Sequence, residues 1–292
     1  MRTEPITPAE IKSFDDNGYL ILRDVLHLEE LRALQEDTSA LIRRGLEQRT
    51  ELTERERHDF RYEVDDVLGR EMFYRVNYLY DKPGRSFLPL LAHPFILDLA
   101  RRMVSEDFVP TWESMVFKVP GAGREIKWHC DVESMVVTTP HRIFNVDIYL
   151  DESDLENGCL LVIPQSHKPE GWETLKPAGI RAKYGYDLER GAPINMQAAL
   201  MKPGDILLHS IYIVHGSPST TSQRLRRVIY YEFRSASVIL ESPPKGGWDE
   251  AWIRKRLRLL HEAIRQRALA PYAAHDPFPF VYDPPAPWRL TT

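Results

Sequence analysis

The chain has 292 residues, a net charge of −5, 43% hydrophobic and 28% charged residues, and two cysteines. That length can bury a sizeable core as one domain, and the composition is that of a globular protein, not a disordered or fibrous one. A pI near 6.1 gives no basis for a nucleic-acid partner; no apolar run is long enough to span a membrane. Cys130 and Cys159 make no disulfide framework and suggest a reducing compartment. The start, Met1-Arg2-Thr3-Glu4-Pro5, lacks the apolar segment of a secretory signal, so a cytoplasmic setting is expected.

Thr7-Pro8-Ala9-Glu10 opens a short helix, with Thr7 as N-cap and Pro8 at the first helical position. Residues 19–22 read as a strand. Leu31, Leu34, Leu41 and Ile42 recur at helical spacing across residues 28–48. Residues 49–71 are charged without clear period and read as a solvated connection with some helix. Residues 72–80 alternate as a strand, 89–104 read as helix and 111–119 as the next strand. A strand over 143–150 leads into an acidic turn ending in Asn157-Gly158, then a short apolar strand stopped by Pro164. Pro203-Gly204-Asp205 is a turn feeding a further apolar strand. Residues 249–269 read as helix, followed by a proline- and aromatic-rich tail.

Residues 1–107 thus mix helix and strand, 108–234 are mostly strands and turns, and 240–292 form a helix and tail. This order predicts one domain, mostly β with flanking helices: a buttress on a double-stranded β-helix, the cupin-like jelly roll. Residues 169–197, with Trp172, Tyr184 and Tyr186, interrupt the core strands. They are read either as a lid over the barrel mouth or as a surface excursion.

The chemistry concentrates in His129-Cys130-Asp131 and, far downstream, His215-Gly216-Ser217. Side chains i and i+2 of a strand share a face, so His129 and Asp131 reach one metal while Cys130 points away. With a histidine from a neighbouring strand they make the two-histidine, one-carboxylate facial triad of non-haem Fe(II) oxygenases. His209 and His215 are both available as the third ligand. His215 is preferred for its Gly-Ser context, leaving His209 to the core or to a supporting contact.

The order His129-x-Asp131, Glu156-Asn157-Gly158-Cys159-Leu160-x-x-Ile163-Pro164-x-Ser166-His167-Lys168, Pro203-Gly204-Asp205, His215-Gly216-Ser217 and an arginine-rich strand resembles the phytanoyl-CoA dioxygenase family. That family belongs to the Fe(II)- and 2-oxoglutarate-dependent oxygenases. The resemblance covers about residues 112–234, with a weaker match at residues 14–21. Gln165 stands where the family more often has glycine, which alters a turn rather than the chemistry.

The resemblance implies Fe(II) on His129, Asp131 and His215, with 2-oxoglutarate and O2 as cosubstrates at the open positions. The far carboxylate of 2-oxoglutarate calls for arginine, whose planar fork binds a carboxylate through two hydrogen bonds. The family's spacing places that anchor on Arg226, with Arg224 and Arg227 as the other candidates. Met115, Phe117, Asp147 and Ser217 fall near the family's cosubstrate contacts, although the family often has an aromatic or apolar residue where Asp147 stands. Arg75, Asn77, Glu113, Asn145 and Tyr149 are candidates to orient a substrate. The implied reaction is oxidation, by default hydroxylation, of an unactivated C–H bond in a small molecule, with release of succinate and CO2. The absence of a basic run for a CoA phosphate favours a secondary metabolite. Desaturation or cyclisation, an acyl-CoA or amino-acid substrate, and a non-catalytic binding module stay open. Halogenation is disfavoured because Asp131 occupies the position that halogenating relatives leave small.

Overall fold

A computed structural model describes residues 1–66, 69–132, 142–168, 196–241 and 247–289. Within them, two antiparallel sheets face one another. The larger has the order β1-β9-β6-β11-β4-β3-β2 and the smaller β5-β10-β7-β8. In chain order the strands are β1 (Tyr19–Leu22), β2 (Phe60–Asp65), β3 (Arg70–Asn77), β4 (Phe108–Lys118), β5 (Ile126–His129) and β6 (Phe144–Tyr149). They continue as β7 (Leu161–Val162), β8 (Gln197–Ala198), β9 (Ile206–Ser210), β10 (His215–Ser217) and β11 (Arg226–Ser235). The described helices are α1 (Pro8–Asn17), α2 (Leu28–Glu47), α3 (Glu54–Asp59), α4 (Phe87–Leu91), α5 (Pro94–Met103), α6 (Ala236–Glu241) and α7 (Glu250–Arg267). This is the jelly roll with flanking helices that the sequence order predicts.

The local signals explain the entry into the sheet. α1 carries a full capping box between Thr7 and Glu10 and ends at Gly18 with φ 82°. A Cβ there would lie 2.4 Å from the His167 ring, so both the left-handed backbone and the space require glycine. Residues 49–71, read as a mostly irregular connection, instead hold α3, with its Thr53–Glu56 capping box, and β2. β2 closes the edge of the large sheet, where one side is solvated and charged residues are tolerated. That is why its pattern was not that of a strand.

Alternation sorts the large sheet into two faces. The outer face sends Phe73, Val76, Met115, Phe117, Val146, Ile148, Ile229 and Tyr231 into the main hydrophobic core, which they share with α2, α4 and α5. The inner face looks towards the small sheet. Antiparallel neighbours directly opposite one another project from the same face, so the register gives rows across the inner side. One row runs Tyr149, Val228, Val116, Arg75 over β6, β11, β4 and β3. The next runs Asp147, Tyr230, Ser114, Asn77.

Buried charges on the outer side are paired. Glu113 accepts from Arg256 of α7, Glu30 of α2 pairs with Arg267, and Arg267 also reaches Asp276. Among the described residues no helix is long and apolar enough to cross a membrane. Residues 169–195 of the segment considered as a lid, with Trp172, Tyr184 and Tyr186, lie outside the described residues, and Gln197 belongs to β8.

Candidate metal centre

β5 and β10 are neighbours in the small sheet, and His129 and His215 are paired in register with ring centroids 4.3 Å apart. Asp131 follows β5, its backbone N–H held by the Ile211 carbonyl at 2.9 Å. The three side chains offer donor atoms that all lie within 4.8 Å of one another. The Asp131 Oδ1 is 3.5 Å from His129 Nε2 and 3.9 Å from His215 Nε2.

The tautomers suit a metal. His129 Nδ1 lies 2.7 Å from the Lys127 carbonyl and His215 Nδ1 lies 3.0 Å from the Ile213 carbonyl. A carbonyl only accepts, so each Nδ1 carries the proton and each Nε2 presents its lone pair inward, the usual support for a metal-bound histidine. Burial, and then His129, hold His215 down to about 3, so it is neutral at physiological pH. Burial alone would raise the Asp131 carboxyl, but the neighbouring histidines, His215 foremost, hold it well below the usual range.

The other Asp131 oxygen is also fixed. Oδ2 accepts from Asn145 Nδ2 at 2.9 Å and lies 3.3 Å from His209 Nε2. His209 Nδ1 in turn lies 2.9 Å from Asp147 Oδ2. β9 ends at Ser210 and the chain crosses to the small sheet before His215, so the two histidines come from opposite sheets. His209 thus meets Asp131 from the large sheet, and the three donors within 4.8 Å of one another are those of His129, Asp131 and His215.

A second cluster, His27, Glu29 and His275, also brings its donors within 4.8 Å. It fails on chemistry. His27 Nδ1 accepts the Glu29 N–H at 3.3 Å, which engages its lone pair and leaves the proton on Nε2.

Around the first cluster lies a cavity of about 580 Å³, its open mouth included, bounded by Arg75, Asn145, Asp147, Tyr149, Arg226 and Tyr230 among others. The three candidate arginines separate cleanly. Arg226 is 3% exposed and faces inward; its Nη1 donates to the Gly158 carbonyl and its Nε has no partner. Arg227 points outward to Asp151, to the Gln35 carbonyl and to Ser39. Arg224 lies among Glu152, Asp154 and Glu156 on the surface.

Several expected contacts fall elsewhere. Glu113, Met115 and Phe117 share a face, but it is the outer one: Glu113 is neutralised by Arg256, and Met115 and Phe117 are core. Val116 lines the cavity in their place. Nearly every residue of β4 is buried on both faces, so its inward phase had no polar marker. Ser217 Oγ donates to the Gly158 carbonyl at 2.7 Å, which braces the carbonyl that Arg226 uses and keeps the hydroxyl out of the cavity. Asn77 ends the row that holds Tyr230 and Ser114 and does not line the cavity. Asp147 lines the cavity with one oxygen on His209 and the other unpartnered. Tyr230, not singled out from the sequence, was accessible to the same alternation that places Arg226 inward. Gln165 has φ 66°, a left-handed turn, which explains why glycine is common there.

A jelly roll carrying a two-histidine, one-carboxylate cluster beside an arginine-backed cavity defines the class of non-haem Fe(II) oxygenases. The profile of the phytanoyl-CoA dioxygenase family matches residues 14–228, and the chain belongs to that family. Dioxygenase lolE1 of Epichloe uncinata is 27% identical over 84% of this chain and 94% of its own length. Ectoine dioxygenase of Sphingopyxis alaskensis is 25% identical over 82% of this chain and 79% of its own length. The crystal structure of EctD from S. alaskensis with bound Fe shares the fold, with a TM-score of 0.63 and 22% identity over 85% of this chain and 84% of that one. The protein is an Fe(II)/2-oxoglutarate-dependent dioxygenase.

Proposed function

We propose that the protein hydroxylates an unactivated C–H bond of a small organic molecule, a secondary metabolite, working as a single domain. His129, Asp131 and His215 hold Fe(II), and Arg226 receives the far carboxylate of 2-oxoglutarate. The observation that carries this reading is the inward Arg226, a buried guanidinium with an unpartnered Nε in the cavity that the metal donors also line. A buried cation without a counterion is costly unless a ligand completes it. When bound, the iron and cosubstrate supply the oxidising power and release succinate and CO2.

This chain's residues do the rest. Lys127 and Ile213 carbonyls keep the two histidine tautomers. Asn145 and His209 hold one Asp131 oxygen away from the histidines. Tyr149 and Val228 pack beside Arg226 and keep water from its guanidinium. Arg75 and Asn145 stand where a substrate would enter. The test is anaerobic loading with Fe(II) and 2-oxoglutarate. A visible charge-transfer band is expected, followed on oxygenation by succinate and a product that carries one atom of labelled dioxygen. Loading without a band, or turnover without succinate, would remove this reading.

A further inference from the structure

Arg75 of β3 lines the same cavity as the metal donors, and its buried Nε has no hydrogen-bond partner among the described residues. The side chain as a whole is half-buried, so a ligand in the cavity can reach it. The carboxylates that act on it are already engaged. Asp131 accepts from Asn145 at 2.9 Å beside the two histidines, and Glu63 accepts from Tyr74 at 2.6 Å and pairs with Arg124 at 2.5 Å. What surrounds the Arg75 guanidinium instead is aromatic: the Tyr230 ring at 5.6 Å and the Tyr74 ring at 5.9 Å from centroid. Ring faces attract a cation without neutralising it. A guanidinium drawn partly out of water is costly unless an anion completes it.

The cosubstrate does not supply that anion. In the reading above its far carboxylate goes to Arg226 and its near one to the metal. Along the inner face of β11, Arg226, Val228 and Tyr230 follow at alternate positions, and Arg75 stands in the row of Val228. Its guanidinium leans over Tyr230, whose row lies on the side away from Arg226. On the other side of Tyr230, and its neighbour in register, is Asp147. Asp147 Oδ2 is engaged by His209, while its buried Oδ1 has no partner, and the residue lines the same cavity. An ionised carboxylate oxygen can only accept. The cavity thus presents an open cation and an open acceptor on either side of one tyrosine.

We propose that the substrate is a small organic acid: its anionic group pairs with Arg75, and a hydroxyl or ammonium group about one ring's span away donates to Asp147 Oδ1. A neutral scaffold would leave Arg75 unpaired. The proposal rests on the oxygenase reading above and narrows its substrate class.

The experiment uses the anaerobic enzyme loaded with Fe(II) and saturating 2-oxoglutarate, titrated with three probes of one skeleton. They are 4-hydroxycyclohexanecarboxylate, its neutral carboxamide, and cyclohexanecarboxylate, which lacks the hydroxyl. A probe that seats beside the metal shifts the visible band. The hydroxy acid should bind about 10- to 100-fold more tightly than its amide, the scale of a hydrogen bond to a charged group. Arg75→Gln should remove that advantage, and Arg75→Lys should restore part of it, since an ammonium keeps the charge but not the fork. Asp147→Asn, whose carbonyl keeps a partner for His209 while its NH2 turns the open acceptor into a donor, should remove the hydroxy acid's advantage over cyclohexanecarboxylate. Neither Arg75→Gln nor Asp147→Asn should move the midpoint of the 2-oxoglutarate titration, which also reports that the loaded site is intact. Equal binding of the hydroxy acid and either comparison probe, an acid preference that survives Arg75→Gln, or a parent band that no probe moves would overturn the proposal. A 2-oxoglutarate midpoint displaced by Arg75→Gln would overturn it as well, making Arg75 a cosubstrate contact. A band that never forms sinks the oxygenase reading, and this one with it.

Discussion

The two faces of the large sheet differ in how their buried charges are met: those against the outer face are paired, and three on the inner face keep an open atom. On the outer face Glu113 has Arg256 and Arg227 has Asp151, with backbone and hydroxyl acceptors from α2 completing the last, and Glu30 of α2 itself has Arg267. On the inner face Arg75, Arg226 and Asp147 each retain an atom with no partner. Arg226 and Arg227 are neighbours in sequence, both buried, and separated only by the pleat. A buried charge that is paired belongs to the scaffold, and one that is left open belongs to a ligand. Charge alone does not tell them apart.

The largest effects should come from the metal donors. His129→Ala, Asp131→Ala or His215→Ala should each abolish iron-dependent succinate release, because two ligands rarely hold Fe(II) against water, while thermal unfolding stays near the parent's. His209→Ala should lower activity through Asp131 without abolishing iron binding. Iron retained by His215→Ala and lost by His209→Ala would reverse the assignment.

The outer face should answer in stability instead. Glu113→Ala leaves the buried Arg256 guanidinium unpaired and should cost about 3–5 kcal/mol in denaturant unfolding. The 2-oxoglutarate requirement should not move. Replacing both partners, Glu113→Met with Arg256→Leu, should recover much of that loss. A double variant as unstable as the single one would mean that the pair does more than neutralise itself.

A smaller effect concerns pH. His93 is fully buried and caps α5 by accepting the Phe95 N–H. Burial, aided by Arg267, holds its pKa well below 6.5. The unfolded chain then binds the extra proton first as pH falls. The stability His93 contributes is whole above pH 6.5 and declines below it, by up to about 1.4 kcal/mol per pH unit. His93→Asn, which can still cap, should flatten that acid limb of the unfolding curve. An unchanged slope would place the proton uptake elsewhere.

How much of this was legible in the sequence follows from the same contrast. The gathering of His129, Asp131 and His215 was foreseeable because His-x-Asp needs only strand alternation, and because the Gly-Ser context favoured His215 over His209. The inward phase of β11 was readable once Arg226 was matched to the resemblance. β4 was not, since a strand buried on both faces gives no polar alternation, and the wrong phase put Glu113 beside the substrate and Met115 and Phe117 beside the cosubstrate. Ser114 and Val116 were hidden for the same reason. β2 was missed because an edge strand tolerates charge. The pairing of Glu113 with Arg256, more than a hundred residues away, has no local signature.

The central claim is that Arg226 is open for a ligand while Arg227 is spent on the scaffold, and one paired titration tests it. Succinate release is followed against 2-oxoglutarate for Arg226→Ala and Arg227→Ala beside the parent, with unfolding curves for all three. Removing one partner of a buried charged pair costs about 2–5 kcal/mol, so Arg226→Ala should raise the 2-oxoglutarate requirement roughly 30- to 4,000-fold with little loss of stability. Arg227→Ala should do the converse, destabilising the fold while its folded fraction keeps the parent's requirement. A 2-oxoglutarate requirement raised by Arg227→Ala and untouched by Arg226→Ala would contradict the account.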